Sequence, residues 1–223
     1  MVKGCFVAGT DTGVGKTLIA CALLHRLRER GLKAVGMKPI AAGCERTAEG
    51  LINEDVEALR AAGSIVLPRE AINVYAFEQP VAPHIAAAAA GVQMTLAAIE
   101  QRYAELAALA DAVVVEGAGG WLVPLNDADT LADLAVRLGL PVILVVGMRL
   151  GCLSHALLTA EAIRSRRVPL TGWVANQVDP HMACPEENVR SLQARIGCPL
   201  LARVPFQAIP NPASVEFDSL PVI

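Results

Sequence analysis

Short apolar runs rich in β-branched side chains punctuate the chain: "GCFVA", "AVGMKP", "AVVVEG", "VILVVG", "LTGWVAN" and "PLLARVP". Between them lie longer stretches whose apolar positions return every three or four residues, beginning with a helix over about residues 17–30. Strand and helix in alternation predict an α/β fold, with a mostly parallel β-sheet flanked by helices. Gly31, Gly139 and Gly197 each follow a helical stretch and precede a strand, where a left-handed C-terminal cap is expected.

Two regions depart from this rhythm. An insertion at about residues 39–110 holds "NEDVEALRAAG", the turn-rich "YAFEQPVAPH", an alanine run at 86–90 and a helix near 95–109. The alanine run reads as a packed helix of small residues. At about residues 207–223, "AIPNPASVEFDSLPVI" has three prolines and little periodicity, which predicts an irregular tail over the surface.

A chain of 223 residues at 54% hydrophobic is long and apolar enough for one generous domain, read as residues 1–223. The formal net charge of -3 supplies no basic field, which argues against nucleic acid or an anionic membrane as partner. The six cysteines form no C-x-x-C pair and mostly sit in apolar segments, so all six are expected to be buried, reduced bystanders. With no basic-then-apolar leader and no apolar run of membrane-spanning length, the expected location is cytoplasmic.

Candidate chemistry enters at "AGTDTGVGKT", between the first strand and the first helix. The Walker A pattern asks for four residues between its glycines, whereas Gly9 and Gly15 enclose five, so this is a variant Walker A loop in a P-loop NTPase-like setting. Its physics is intact. Backbone N–H groups of Gly13, Val14, Gly15 and Lys16 at a helix N-terminus suit a phosphate, the Lys16 ammonium reaches the β/γ-phosphates, and the Thr17 hydroxyl suits Mg²⁺. "DAVVVEGAGG" delivers Glu116 to the C-terminal end of a strand, the position of a Walker B carboxylate, and the small residues that follow it predict close approach by a ligand or a facing backbone.

With "GTDTGVGKT", "MKPIAAG", "VVVEGAGGWLVPL", "PVILVVGMRLGCLSHALLT" and "GWVANQV" in that order over about residues 3–206, the chain resembles dethiobiotin synthetases. The resemblance implies an ATP- and Mg²⁺-dependent cyclo-ligase of biotin synthesis acting on 7,8-diaminopelargonic acid and CO₂, as a homodimer whose active site is shared at the interface. It implies catalytic roles for Lys16, Lys38 and Thr12. ATP would lie against Gly13, Val14, Gly15, Lys16, Thr17 and Glu116, with Asn176 at the adenine edge and Pro205 and Phe206 flanking the base. Thr17, Asp55 and Glu116 would hold Mg²⁺. Thr12, Lys38, Ala42 and Gly119 would contact the diamine, and Gly151, Cys152 and Ser154 would meet its carboxylate tail from the neighbouring subunit.

Several of these positions carry a second reading. "NEDVEA" around Asp55 is also an ordinary acidic first turn of a helix. Ser154 stands where the family often has asparagine and equally suits a cap of its own helix. Asn176 to Asp179 satisfies N-x-x-D, a pattern reminiscent of guanine readers but without their lysine, and this leaves the base open. Ala42 occupies a position where relatives place a serine hydroxyl, a loss of about 0.5–1.5 kcal/mol for one hydrogen bond. Rival readings within the fold are a partition or septum-positioning ATPase, another small-molecule ligase, and a P-loop kinase. The first normally has a lysine early in the loop, and "AGTDTG" has none.

Overall fold

The computed structural model describes residues 4–220. Strand β1 (Gly4–Gly9) runs into the phosphate loop and helix α1 (Lys16–Glu29), followed by β2 (Ala34–Met37). The insertion then supplies the three-residue strands β3 (Ile40–Ala42), β4 (Glu45–Thr47) and β5 (Gly50–Ile52), helices α2 (Glu54–Ala62) and α3 (Arg69–Ile72), strand β6 (Tyr75–Phe77), and helices α4 (Pro83–Ala89) and α5 (Leu96–Leu109). Regular alternation resumes with β7 (Ala112–Glu116), α6 (Leu131–Leu138), β8 (Val142–Met148), α7 (Cys152–Ser165), β9 (Leu170–Gln177), α8 (Pro185–Ile196) and β10 (Leu200–Val204).

The central sheet has the order β10-β9-β8-β1-β7-β2. Every neighbouring pair in it is parallel, as the alternation predicted. β3 pairs in parallel with β6, and β4 with β5 antiparallel, in two small satellite sheets within the insertion.

Both faces of the sheet are covered because successive side chains point to opposite sides. Cys5, Val7, Val114, Ile143 and Val145 pack beneath α1 together with Leu59 of α2. Phe6, Ala8, Val113, Val115 and Leu144 face the other way, toward Ile99, Leu131, Ile163 and Leu192 of α5 to α8. At roughly 25 cal/mol per Å² of apolar surface removed from water, these two layers are the main source of stability. Gly139 and Gly197 cap α6 and α8 in the left-handed conformation, and Gly31, just past α1, shares it. Among the described residues no helix is long and apolar enough to cross a membrane.

Three expectations need correction. The alanine run is helical in α4, but only Ala86 and Ala87 are buried, because one turn of a surface helix presents the other alanines to water. The tail does not wander freely over its described part: Val215 is buried beside α1, its carbonyl accepts a hydrogen bond from Arg26 at 2.9 Å, and the Asp218 N–H donates to Leu201 O at 2.9 Å. Of the six cysteines, all free thiols, Cys5, Cys21, Cys44 and Cys152 are buried, whereas Cys198 is half-buried and Cys184 is exposed.

Candidate active site

Topology brings the candidate side chains together. β7 lies between β1 and β2, and its register sets Val7 beside Glu116 and Met37 beside Val115. Lys38, one residue beyond β2, is therefore level with Glu116 at the carboxyl end of the sheet, next to the phosphate loop that leaves β1. Pro39 ends the strand, and the Lys38 backbone is held by two contacts. Its N–H donates to Ile72 O at 2.8 Å, and its carbonyl accepts from Asn73 Nδ2 at 2.7 Å.

Asp55 arrives from α2. Asn53 caps that helix, its side chain accepting from the N–H groups of Asp55 and Val56 at 3.1 and 3.3 Å, which fixes the first turn against the cluster. "NEDVEA" is thus an acidic first turn, and its Asp55 carboxylate reaches Lys38 and Thr17.

Four side chains converge. The Lys38 ammonium donates to Glu116 Oε1 at 2.5 Å and to Asp55 Oδ2 at 2.7 Å. The Thr17 hydroxyl lies 2.7 Å from Asp55 Oδ1 and 2.8 Å from Glu116 Oε1. A hydroxyl has one proton, so it donates to only one of these acceptors at a time. Glu116 Oε2 is buried with no hydrogen-bond partner among the described residues. Hard oxygens therefore outnumber protons, and two carboxylates with a hydroxyl fit Mg²⁺, which fills its remaining positions with phosphate and water. Among the described residues no cluster of three or more His, Cys, Asp or Glu is assembled as an all-protein cage.

The electrostatics follow from burial. Burial pulls the Lys38 ammonium down, but Glu116 and Asp55 together outweigh it and its pKa lies above the usual lysine value. Burial pushes the Glu116 carboxyl up, Lys38 opposes this, and repulsion from Asp55 adds to it, leaving it above the ordinary range. Asp55 ends below that range, because the charge and hydrogen bonds of Lys38 and the hydrogen bond of Thr17 overcome partial burial. Lys16 is lowered to about 8, by burial and then by the like charge of Lys38. Its Nζ folds back on the loop and donates to Asp11 O at 2.8 Å.

Beside the cluster is a cleft of about 440 Å³, lined by Thr12, Lys38, Ala42, Asp55 and Gly119, with apolar walls that include Ile40, Val81 and Val123. All the residues assigned to the diamine within one chain are there. The small residues after Glu116 make room chiefly for packed side chains and not for a facing backbone: a Cβ on Gly117 would lie 2.8 Å from Leu131 Cδ2 and one on Gly119 2.9 Å from Val123 Cγ2, whereas one on Gly120 would meet Thr10 O at 3.5 Å, an ordinary contact. Buried Trp121, edge-on to Phe6 with ring centroids 6.3 Å apart, anchors that loop.

Other assigned residues lie elsewhere. Gly151 is the N-cap of α7, Cys152 is buried and Ser154 is exposed, and none of the three lines the cleft of the same chain. Ser154 does not cap α7, since that place belongs to Gly151 and no side-chain cap bond is present. Val14 has a buried side chain. Asn176 is buried at the end of β9, its Nδ2 donating to Val14 O at 2.8 Å, while Pro205 and Phe206 are exposed just beyond β10.

Sequence reasoning missed Asp11 and Arg149. Asp11 accepts from Thr12 N at 2.7 Å and from Arg149 Nη2 at 2.6 Å, tying the phosphate loop to the turn that enters α7. The available signal was a basic residue directly after β8, at the ligand-binding end of the sheet. Asn53 was equally readable as the N-cap before an acidic turn.

A family profile described as an AAA domain matches residues 3–213. The chain is 56% identical over 206 residues to the ATP-dependent dethiobiotin synthetase BioD of Nitrosospira multiformis, covering 92% of this chain and 89% of that one. It is 55% identical to the protein of the same name from Aromatoleum aromaticum, covering 94% and 93%. The chain belongs to the dethiobiotin synthetase family. Nearly full-length coverage on both sides gives this family assignment the whole chain, with the cleft and the charged cluster inside it. Solved structures add the fold. The signal recognition particle receptor FtsY of Elizabethkingia anophelis, in complex with GDP, aligns with a TM-score of 0.56 at 15% identity, over 98% of this chain and 61% of its own. A ParA family ATPase of Chlorobium tepidum aligns with a TM-score of 0.56 at 13% identity, over 92% and 86%. At such identities the likeness is that of P-loop NTPase architecture, and it lends the synthetase family no switch function.

Proposed function

We propose that this member of the family closes the ureido ring of dethiobiotin from 7,8-diaminopelargonic acid and CO₂, at the expense of ATP and with Mg²⁺. The coarser statement rests on full-length family membership: the chain is an enzyme, an ATP-dependent ligase of biotin biosynthesis acting on small molecules. What supports the finer reading is one observation, the convergence of Lys38, Thr17, Asp55 and Glu116 at one end of a cleft whose walls are apolar.

One substrate amine adds to CO₂ with loss of a proton, giving a carbamate. A carbamate oxygen then attacks the γ-phosphorus and ADP leaves. The second amine finally attacks the carbonyl carbon of the mixed anhydride, closing the ring and expelling phosphate. In this reading Lys38 engages the carbamate and the γ-phosphoryl together, and Lys16 engages the β/γ-phosphates. Two fixed ammonium groups offset the charge that a loose phosphoryl-transfer transition state spreads over its oxygens. Thr12 and Gly119 bound the diamine end of the cleft, and its apolar walls suit the aliphatic part of the substrate. Mg²⁺, when bound by Thr17, Asp55 and Glu116, supplies further charge neutralisation at the terminal phosphates. In this reading Asn176, Pro205 and Phe206, near the ends of β9 and β10, serve the base.

The shared homodimeric site is part of the same proposal. Gly151, Cys152 and Ser154 do not line their own chain's cleft, while Leu150 beside them is 96% exposed and Leu158 on α7 is 62% exposed, an apolar pair suited to a second copy.

The test is substrate-dependent turnover. ADP release should require diaminopelargonate and bicarbonate together, and Lys16→Ala should abolish it. Steady ADP release with neither substrate would overturn the reading, and a fully active monomer by mass photometry would overturn the shared site.

A further inference from the structure

The side chain that the resemblance assigns to the base, that of Asn176, hydrogen-bonds the phosphate loop in this structure. Asn176 is the penultimate residue of β9, is 6% exposed, and donates from Nδ2 to Val14 O at 2.8 Å. The sequence separation of 162 residues makes this a tertiary device, unlike a local turn.

Val14 is held from both ends. Its side chain sits between β1 and β8, so that a Cβ on Gly9 would lie 2.8 Å from Val14 Cγ2 and one on Gly147 would lie 2.9 Å from Val14 Cγ1. Its carbonyl is drawn the same way, down onto Asn176. Among the described residues no peptide bond is cis, and in a planar trans peptide the N–H points opposite to the C=O. A Val14 carbonyl aimed down at the sheet therefore aims the Gly15 N–H up, out of the sheet and into the concavity of the loop. That N–H belongs to the N-cap of α1, where the helix dipole already favours an anion.

The glycine completes the arrangement. Gly15 has φ of 91°, and a Cβ there would sit 2.2 Å from Asn176 Nδ2. Any side chain at this position would strain the backbone and push away the amide that orients it. Gly15 and Asn176 are thus fitted to each other.

We propose that Asn176 is a positioning residue for the triphosphate, acting through the Val14–Gly15 peptide to keep one amide donor aimed at phosphate before nucleotide arrives. The proposal rests on the ATP-dependent reading of this site and adds to it a role that needs no base. A residue that reads adenine contributes nothing to a polyphosphate lacking a base, whereas one that sets the loop contributes equally to both.

The experiment measures binding of Mg²⁺-tripolyphosphate and of Mg²⁺-ATP to the full chain by calorimetry, for wild type, Asn176→Ala and the isosteric Asn176→Asp, with melting temperatures as the check on folding. Losing the donor should weaken tripolyphosphate and ATP by the same factor, about tenfold, or about 1.4 kcal/mol. Asp should be no better than Ala, because a carboxylate offers Val14 O no proton. A loss confined to ATP, with tripolyphosphate unchanged, would make Asn176 a base reader alone and overturn the proposal. So would a wild-type chain that turns over ATP yet takes up no tripolyphosphate. Failure of the synthetase reading has a separate signature, the absence of diamine-dependent ADP release by the wild type.

Discussion

Replacing Lys38 by Met removes the cation that Glu116 and Asp55 share and keeps most of the side-chain volume. In the wild type that ammonium lies 2.5 Å from one carboxylate and 2.7 Å from the other. Glu116 is 1% exposed and already has one oxygen without a partner among the described residues, so the variant leaves a buried charge facing a second carboxylate across the Thr17 hydroxyl. Removing one partner of a buried pair costs about 3–5 kcal/mol, and the low end applies because Asp55 reaches solvent through the cleft. For a chain of this length each kcal/mol moves the melting temperature by about 2–4 °C, so about 3 kcal/mol predicts a fall of about 6–12 °C.

The fall should depend on the metal. With EDTA the carboxylates repel without relief. With Mg²⁺ in excess, binding to the folded state alone stabilises it by mass action. In the wild type the ammonium competes for the same oxygens, so Mg²⁺ without nucleotide should raise the melting temperature of Lys38→Met by more than it raises the wild type's. Scanning calorimetry in the two buffers measures both shifts, and the ADP assay should show no turnover by the variant. If Lys38→Met melts within about 2 °C of the wild type in EDTA, less than the shift for one kcal/mol, or if Mg²⁺ moves both proteins equally, the picture of two carboxylates held together by Lys38 is wrong.

Two further predictions concern the scaffold. Thr130→Ala breaks the capping box in which Thr130 and Asp133 satisfy each other's backbone N–H at the start of α6, and it should cost about 1 kcal/mol with catalytic turnover unchanged; a chemical-denaturation series reads the loss directly, and a variant as stable as the parent would show that the cap is idle. At pH 8 a maleimide should label Cys184 fast while sparing Cys5 and Cys21, whose thiols burial pushes up to about 12 and which therefore hold almost no thiolate at that pH; rapid modification of either buried thiol in the folded protein, located by peptide mass spectrometry, would contradict the packing under α1.

How much of this was legible depended on how far apart the interacting residues lie in the chain. The strands of the central sheet announced themselves because a strand buried on both faces needs an unbroken β-branched run, as in "AVVVE" and "VILVVGM". Lys16 and Thr17 were readable because loop and helix are contiguous. The insertion was less readable, since strands such as β4 and β5 span three residues and leave too little pattern for an alternation to register. Asp55 looked ambiguous for the same reason: its partner Thr17 is 38 residues away, and only the docking of α2 on α1 brings them together. Arg149 and Asp11, 138 residues apart, gave no local motif at all. The tail misled because its prolines spoke of irregularity, which is right for its backbone, while the burial of Val215 depends on a surface of α1 that the tail's own composition does not encode.

Under the proposed function, the pairing at the phosphate loop and beside the cleft limits what nucleotide binding gains. Lys16 is engaged by the Asp11 carbonyl, Lys38 by two carboxylates and Arg149 by the Asp11 side chain. A triphosphate therefore exchanges these contacts for its own, and its affinity is the difference between the two sets. Lys16 gives up a neutral carbonyl, a weak partner, so a terminal phosphate wins that exchange outright. Lys38 is different, because two carboxylates already match its charge and one of them is wholly buried. A carbamate or γ-phosphoryl oxygen draws Lys38 away only if another cation takes over Asp55 and Glu116. Under the proposed function, charge alone would couple the entry of metal and nucleotide to the release of Lys38 from its two carboxylates.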